Sequence, residues 1–285
     1  MEKTPLYNAL LSYNALGMSS FHTPGHKSRI KELSSLLNDL DLTEIPGLDS
    51  LFEASGVIHQ AEMLATKTFG TKRTFFSAGG CTLCIQAMLK LASFVSKKII
   101  CPRIIHKSAI NAMALLGLEP VFVFPEDNNF CNLEKVVTVK DIEKKLQANQ
   151  DAKVVYVTSP NYYGIILDIK KISQVCKKYG AILLVDNAHG AHLNYVSGNL
   201  HPIKNGADIV ADSAHKTLPV LTGGAFLHIN NENFIGQAKS AMSLFGSTSP
   251  SYPIMASLDL CRSWLDTYAE KAFSQLEEKV KEIKN

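Results

Sequence analysis

Lys216 and Asp186 are the two side chains of this sequence best suited to act together. Lys216 lies in Ser213-Ala214-His215-Lys216-Thr217, just past an apolar run. Asp186 closes another such run, Ile182-Leu183-Leu184-Val185, 30 residues earlier. A lysine amine condenses with an aldehyde to form a Schiff base. A carboxylate at the end of a buried strand is costly unless paired, and a protonated pyridine nitrogen would pair it. The two groups therefore suit pyridoxal phosphate (PLP), with the lysine tethering the aldehyde and the aspartate holding the ring proton.

Other candidates follow the same rule of sitting just past an apolar run. Ser77-Ala78-Gly79-Gly80-Cys81-Thr82 is a small-residue turn that opens a helix. Its backbone N–H groups, at Gly80, Cys81 and Thr82, suit a phosphate at a helix N-terminus, although ordinary strand-to-helix turns also use glycine. His106 could stack on a planar cofactor or shuttle a proton; taken alone it reads as a cap or a surface histidine. Thr158-Ser159-Pro160 could offer hydroxyls to a substrate or simply end a strand. Ser213 and His215 can donate to phosphate oxygens. Asp186, His189 and His192 could instead form a metal site, but Gly190 interrupts the helix that their spacing needs, and no metal is expected. Cys81 and Cys84 lack the second ligand pair of a structural zinc site. A redox or zinc protein built on them is the outlying reading.

These residues need a scaffold. Short, nearly unbroken apolar runs at 74–77, 98–101, 120–124, 154–158, 182–186, 208–211 and 225–229 read as strands buried on both faces. Helical patterns fall at 56–69, 82–95, 108–116, 140–148, 168–179 and 233–243. The alternation predicts an α/β fold with a mostly parallel, seven-stranded sheet flanked by helices. Only the tight turn Leu221-Thr222-Gly223-Gly224 precedes the last strand, so that strand is expected to run antiparallel. Residues 1–50 read as an irregular segment with short helices near 5–15 and 29–39. Residues 51–252 read as the cofactor-binding domain, and 253–285 as one long amphipathic helix leading to a domain that the chain does not include.

Bulk properties narrow the function. The chain has 285 residues, 46% hydrophobic and 19% charged, with a net charge of +3. That charge is too small to argue for nucleic acid or a membrane surface. No apolar run reaches about 18 residues, and the N-terminus lacks the pattern of a signal peptide. Six cysteines, mostly within apolar segments, suit reduced core thiols. A cytoplasmic protein is expected.

In combination, the motifs resemble the major domain of the PLP-dependent Orn/Lys/Arg decarboxylase family, of the aspartate-aminotransferase-like fold (fold type I). Phe21-His22-Thr23-Pro24-Gly25-His26-Lys27, Thr43-Glu44-Ile45-Pro46-Gly47-Leu48-Asp49, His106-Lys107-Ser108, Thr158-Ser159-Pro160, Asp186 through His192, Ser213 through Thr217 and Ser247-Thr248-Ser249-Pro250-Ser251 match in order. The resemblance implies that Lys216 binds the cofactor aldehyde and Asp186 the ring nitrogen. It implies that His106 stacks on the ring with His189 beside it, and that Ser213 and His215 hold phosphate. It implies a homodimer or larger homo-oligomer with the site at the subunit interface, where Ser247 and Thr248 reach the partner's phosphate. The implied reaction is decarboxylation of a basic amino acid (lysine, arginine or ornithine) to a diamine or polyamine precursor. Glu44 and Asp49 are candidates for the distal amine by location alone, with Thr158 and Ser159 nearer the chemistry. The chain departs from the family at the phosphate turn, where hydroxyls are fewer, and at Asn187, where the family usually has Glu. Rival readings are an aminotransferase or other PLP lyase, and a non-catalytic or truncated PLP-fold subunit completed by a separate chain.

Overall fold

Runs of Val, Ile, Leu and Phe without polar interruption persist as strands only where both faces are covered. The computed structural model describes residues 48–125 and 136–284. Within them lie α1 (Val57–Phe69), β1 (Arg73–Ser77), α2 (Gly80–Ala92), β2 (Lys98–Pro102), α3 (Lys107–Leu116), β3 (Glu119–Val123) and α4 (Val139–Ala148). There follow β4 (Val154–Thr158), α5 (Ile169–Lys178), β5 (Ile182–Asp186), β6 (Ile209–Asp212), α6 (Ala214–Thr217), β7 (Ala225–Ile229), α7 (Ile235–Ser243) and α8 (Tyr252–Lys284). The short helices expected near 5–15 and 29–39, the motif at 21–27, and Glu44 lie outside the described residues.

The seven strands form one sheet in the order β1-β7-β6-β5-β4-β2-β3. β7 is antiparallel to both of its neighbours, and the other pairings are parallel. Every strand but β7 therefore points the same way. The turn at 221–224 is too short for a crossover, which forces this reversal.

Alternation along each strand splits the core between the two faces. In β4, Val154 and Tyr156 join the face covered by α2, α3 and α7, while Val155 and Val157 join the face covered by α4 and α5. A third cluster places α1 and α8 over Phe76 and Phe226 of β1 and β7. Helix ends follow local chemistry. Gly70 stops α1 in the left-handed region at φ +63°, and Thr138 and Asp141 form a reciprocal cap at the start of α4.

The helix expected at 253–285 is α8. Its first two thirds belong to the core, with Met255, Leu258, Cys261, Leu265, Ala269 and Phe273 buried. Beyond Phe273 the apolar residues Leu276, Val280 and Ile283 are all exposed. β6 starts one residue later than the apolar pattern suggests. The Asp208 carboxylate instead accepts the Leu183 N–H at 2.8 Å, and Asp212 becomes part of the sheet, fully buried. No helix among the described residues is long and apolar enough to cross a membrane.

Candidate active site

In an open parallel sheet, ligands bind beyond the carboxyl ends of the strands. Here those ends face a cavity of about 790 Å³. Its wall includes Gly80, Cys81 and Thr82 after β1, His106 after β2, Thr158 at the end of β4, and Asp186 and His189 from β5 onward. Ser213, His215 and Lys216 follow β6 on the same wall. Lys216 and Asp186, paired in the sequence reading, thus line one chamber.

Asp186 is only 1% exposed. Its carboxylate accepts the Ala188 N–H at 3.1 Å and the Tyr156 hydroxyl at 3.2 Å, and neither donor is a cation. Burial pushes its carboxyl above the usual range, opposed by those two donors and by His106 and Lys216 nearby. A protonated ring nitrogen against it would hold it ionised. Tyr156 is a site residue that the motif reading missed. The signal was present: it lies two residues before Thr158 on β4, hence on the same face, inside an otherwise aliphatic strand.

The Lys216 Nζ lies 3.1 Å from His189 Nε2. Burial and the adjacent lysine push the His189 imidazole below its usual pKa, so it is neutral at pH 7 and accepts the ammonium's hydrogen bond. Tyr162 meets His189 edge-on, with ring centroids 6.0 Å apart, and also lines the cavity. His106 serves two purposes. Its Nδ1 accepts the Ser108 N–H at 3.3 Å as the cap of α3, and its ring forms part of the cavity wall.

The phosphate turn differs from expectation in one respect. The Gly80 N–H is already donated to the Gly223 carbonyl at 2.7 Å. The N–H groups at the start of α2, at Cys81 and Thr82, have no carbonyl a turn earlier within the helix and are the ones left for phosphate. Ser213 Oγ and His215 Nδ1, 3.4 Å apart, stand on the β6 side.

The remaining candidates are not gathered here. Ser159 is buried and its Oγ accepts the Leu167 N–H at 3.0 Å, so it braces the turn after β4 and does not line the cavity. The Asp49 carboxylate accepts the Gly56 and Ile58 N–H groups, which caps α1, and is not in the cavity wall. Ser247 and Thr248 are exposed after α7, away from the wall. Asp186, His189 and His192 do not converge. The ligand-type side chains that do converge among the described residues are His201, Asp212 and His228. Both imidazoles donate Nε2–H to Asp212 Oδ2, at 2.9 and 3.1 Å, which satisfies the carboxylate without an ion. Cys81 and Cys84 are buried, and burial pushes the Cys84 thiol up to about 12, so neither is a ready nucleophile or metal ligand.

A family model described as Orn/Lys/Arg decarboxylase, major domain, matches residues 4–285. The chain belongs to this family. Orn/Lys/Arg decarboxylases, like other enzymes of this fold, depend on PLP. Among curated relatives, an uncharacterized protein, YaaO, of Bacillus subtilis is 38% identical over 94% of this chain and 58% of its own length. An arginine decarboxylase of Halalkalibacterium halodurans is 34% identical over 93% of this chain and 56% of its own length. The solved lysine decarboxylase A of Pseudomonas aeruginosa superposes with a TM-score of 0.72 at 23% identity, covering 98% of this chain and 42% of that one. This chain thus spans a little over half the length of those curated family members. The cofactor fits the residues present: an amine, a buried carboxylate without a cation, and free N–H groups at a helix start share one chamber.

Proposed function

We propose that this chain carries the PLP site of a decarboxylase acting on a basic amino acid and releasing carbon dioxide and a diamine or polyamine precursor. The observation that carries the reading is the placement of Lys216 and Asp186 in one cavity at the sheet's carboxyl edge. Arginine is the first substrate to assay, because the relatives at 31–34% identity that bear an activity name are called arginine decarboxylases.

When bound, PLP supplies an electron-withdrawing ring that lets the bond from Cα to the substrate carboxylate break. The chain's residues do the rest. Lys216 is the amine that tethers the aldehyde, and its Nζ can return a proton to the substrate. His189, neutral and 3.1 Å from that nitrogen, accepts its hydrogen bond and keeps it aimed into the cavity. Asp186 keeps the ring nitrogen protonated. The Cys81 and Thr82 N–H groups, with Ser213 and His215, hold the phosphate, and His106 is the imidazole that stacks on the ring. Thr158 is left as the hydroxyl near the substrate. In solution the chain is proposed to be a cytoplasmic homodimer with Ser247 and Thr248 at the partner's phosphate. Highly exposed apolar groups at the cavity wall, Tyr162 at 85%, Ile104 at 65% and Phe124 at 61%, support a partner there.

The test is a spectrum of the purified protein with PLP before and after borohydride. A reducible band lost in Lys216→Ala is the expected result, followed by carbon dioxide release from arginine, lysine or ornithine. A Lys216→Ala protein that keeps the band overturns the assignment, and keto-acid formation in place of carbon dioxide points to an aminotransferase.

A further inference from the structure

The two halves of the phosphate cradle come from strands that are not neighbours. Cys81 and Thr82 follow β1, Ser213 and His215 follow β6, and β7 lies between those strands. Because β7 alone is antiparallel, its entry loop at 221–224 emerges at the cradle's edge of the sheet, between the halves. That loop touches both. The Gly80 N–H donates to the Gly223 carbonyl at 2.7 Å, and the His215 N–H donates to the Gly224 carbonyl at 3.2 Å. His215 Nδ1 lies 3.3 Å from the same Gly224 oxygen.

The loop is held from outside the site. The Leu221 N–H donates to Ser257 Oγ on α8 at 3.1 Å, and that hydroxyl donates onward to the Ile254 carbonyl at 2.7 Å. Ser257 is fully buried. Gly223 is left-handed at φ +94°, and a Cβ on Gly224 would sit 2.3 Å from Val220 Cγ1. The loop therefore takes this shape only with glycines, and Ser257 is the side chain that ties it to α8.

We infer that loop 221–224 is a bracket that sets the spacing of the two halves of the phosphate cradle, and that Ser257 is its anchor and a positioning residue for the cofactor's phosphate. The inference rests on the reading of the cavity as a PLP site. Ser257 is not part of the cavity wall; it acts through Leu221, Gly223 and Gly224 on Gly80, which leads into the Cys81 and Thr82 N–H groups, and on His215.

Absorbance titration with PLP and with pyridoxal, which has the aldehyde but no phosphate, tests it. Ser257→Ala is expected to weaken PLP about five- to tenfold, the size of one lost hydrogen bond, and to leave pyridoxal binding unchanged. Ser257→Cys, with a weaker acceptor of similar size, is expected to fall between, and Gly223→Ala to act in the same sense as Ser257→Ala. These two variants answer the question if Ser257→Ala fails to fold. A serine that merely stabilises α8 would lower the melting temperature and weaken both ligands alike. An unchanged ratio of PLP to pyridoxal affinity across the folded variants overturns the inference. Failure of the wild-type chain to form a Lys216-dependent band with either aldehyde instead overturns the cofactor reading on which it rests.

Discussion

At the scale of single residues, Asn187 shows how neighbouring charges decide what a position accepts. The resemblance marks it as a departure, since the family usually carries Glu after the strand-end aspartate. Here the Asn187 Nδ2 donates to Asp212 Oδ1 at 2.7 Å, and both residues are fully buried. Burial pushes the Asp212 carboxyl up, but His201 and His228 outweigh it and hold the group well below the usual carboxylate range. A second carboxylate at position 187 would face an ionised one across a hydrogen-bond distance. Asn187→Asp is therefore expected to lower unfolding stability by about 3 kcal/mol, the cost of an uncompensated buried charge. Adding Asp212→Asn should recover at least half of it, because His201 Nε2 already lies 3.2 Å from Asn187 Nδ2 and can meet the relocated carboxylate. Urea unfolding of the two single variants and the double variant gives the coupling. Strict additivity would show that the two side chains do not share a charge.

At the scale of elements, most of the fold was legible because seven short apolar strands, most of them buried, and their intervening helices keep clean periods. Residues 154–158, 182–186 and 225–229 were bounded as observed, and the antiparallel β7 followed from the length of its entry turn. Lys216 and Asp186 were legible because each closes or follows an apolar run. Tyr156 was less so, because a hydroxyl within an aliphatic strand resembles core. Nor could the sequence reveal that Gly80 spends its N–H on Gly223, or that Asp49 caps α1, since both depend on segments brought together only by folding. The same limit hid the clamp among α1, β1 and α7. Glu62 on α1 is fully buried, accepts the Phe76 N–H at 3.0 Å and pairs with Lys239 on α7 and, at 3.5 Å, with Arg73 on β1. Lys239 also donates to the Leu51 carbonyl at 2.6 Å. Burial shifts Glu62 up and Lys239 down, so desolvation opposes the ion pair on both sides. Lys239→Met should cost about 3 kcal/mol by leaving Glu62 short of a partner. Glu62→Gln added to it should cost less than the single change, and chemical denaturation distinguishes the two. A single variant within about 0.5 kcal/mol of wild type would show that Arg73 alone suffices.

At the scale of the whole molecule, one buried and three half-buried histidines shape how stability responds to pH. Burial is the leading cause pushing His189, His192, His215 and His228 below their usual pKa. A folded pKa below the unfolded value of about 6.5 means that the unfolded chain binds protons first as pH falls. The stability tied to these neutral imidazoles is thus complete above about pH 7 and is lost as pH falls below about 6.5, by up to about 1.4 kcal/mol per pH unit for each group. Asp186 and Glu62 act with the opposite sign, since raised folded pKa values favour the folded chain as pH falls through them. The ordinary imidazole value lies within the interval from pH 7 to 5 and the ordinary carboxyl values lie below it, so the imidazoles are expected to lead the response there. Asp212 adds a further loss below about pH 4, where its depressed carboxyl keeps the unfolded chain as the better proton binder. The melting temperature, measured without added cofactor, is expected to be flat above pH 7, to decline from pH 6.5 to 5, and to drop more steeply below pH 4. His192→Phe retains a ring against Phe273, whose centroid lies 6.1 Å away, and removes one of the four titrating groups. It should flatten the decline between pH 6.5 and 5 without altering the drop below pH 4. An unchanged melting temperature from pH 7 to 5 in both the wild-type chain and His192→Phe would show that His192 takes up its proton in the folded state as readily as in the unfolded one, and would remove its burial as a source of the pH response.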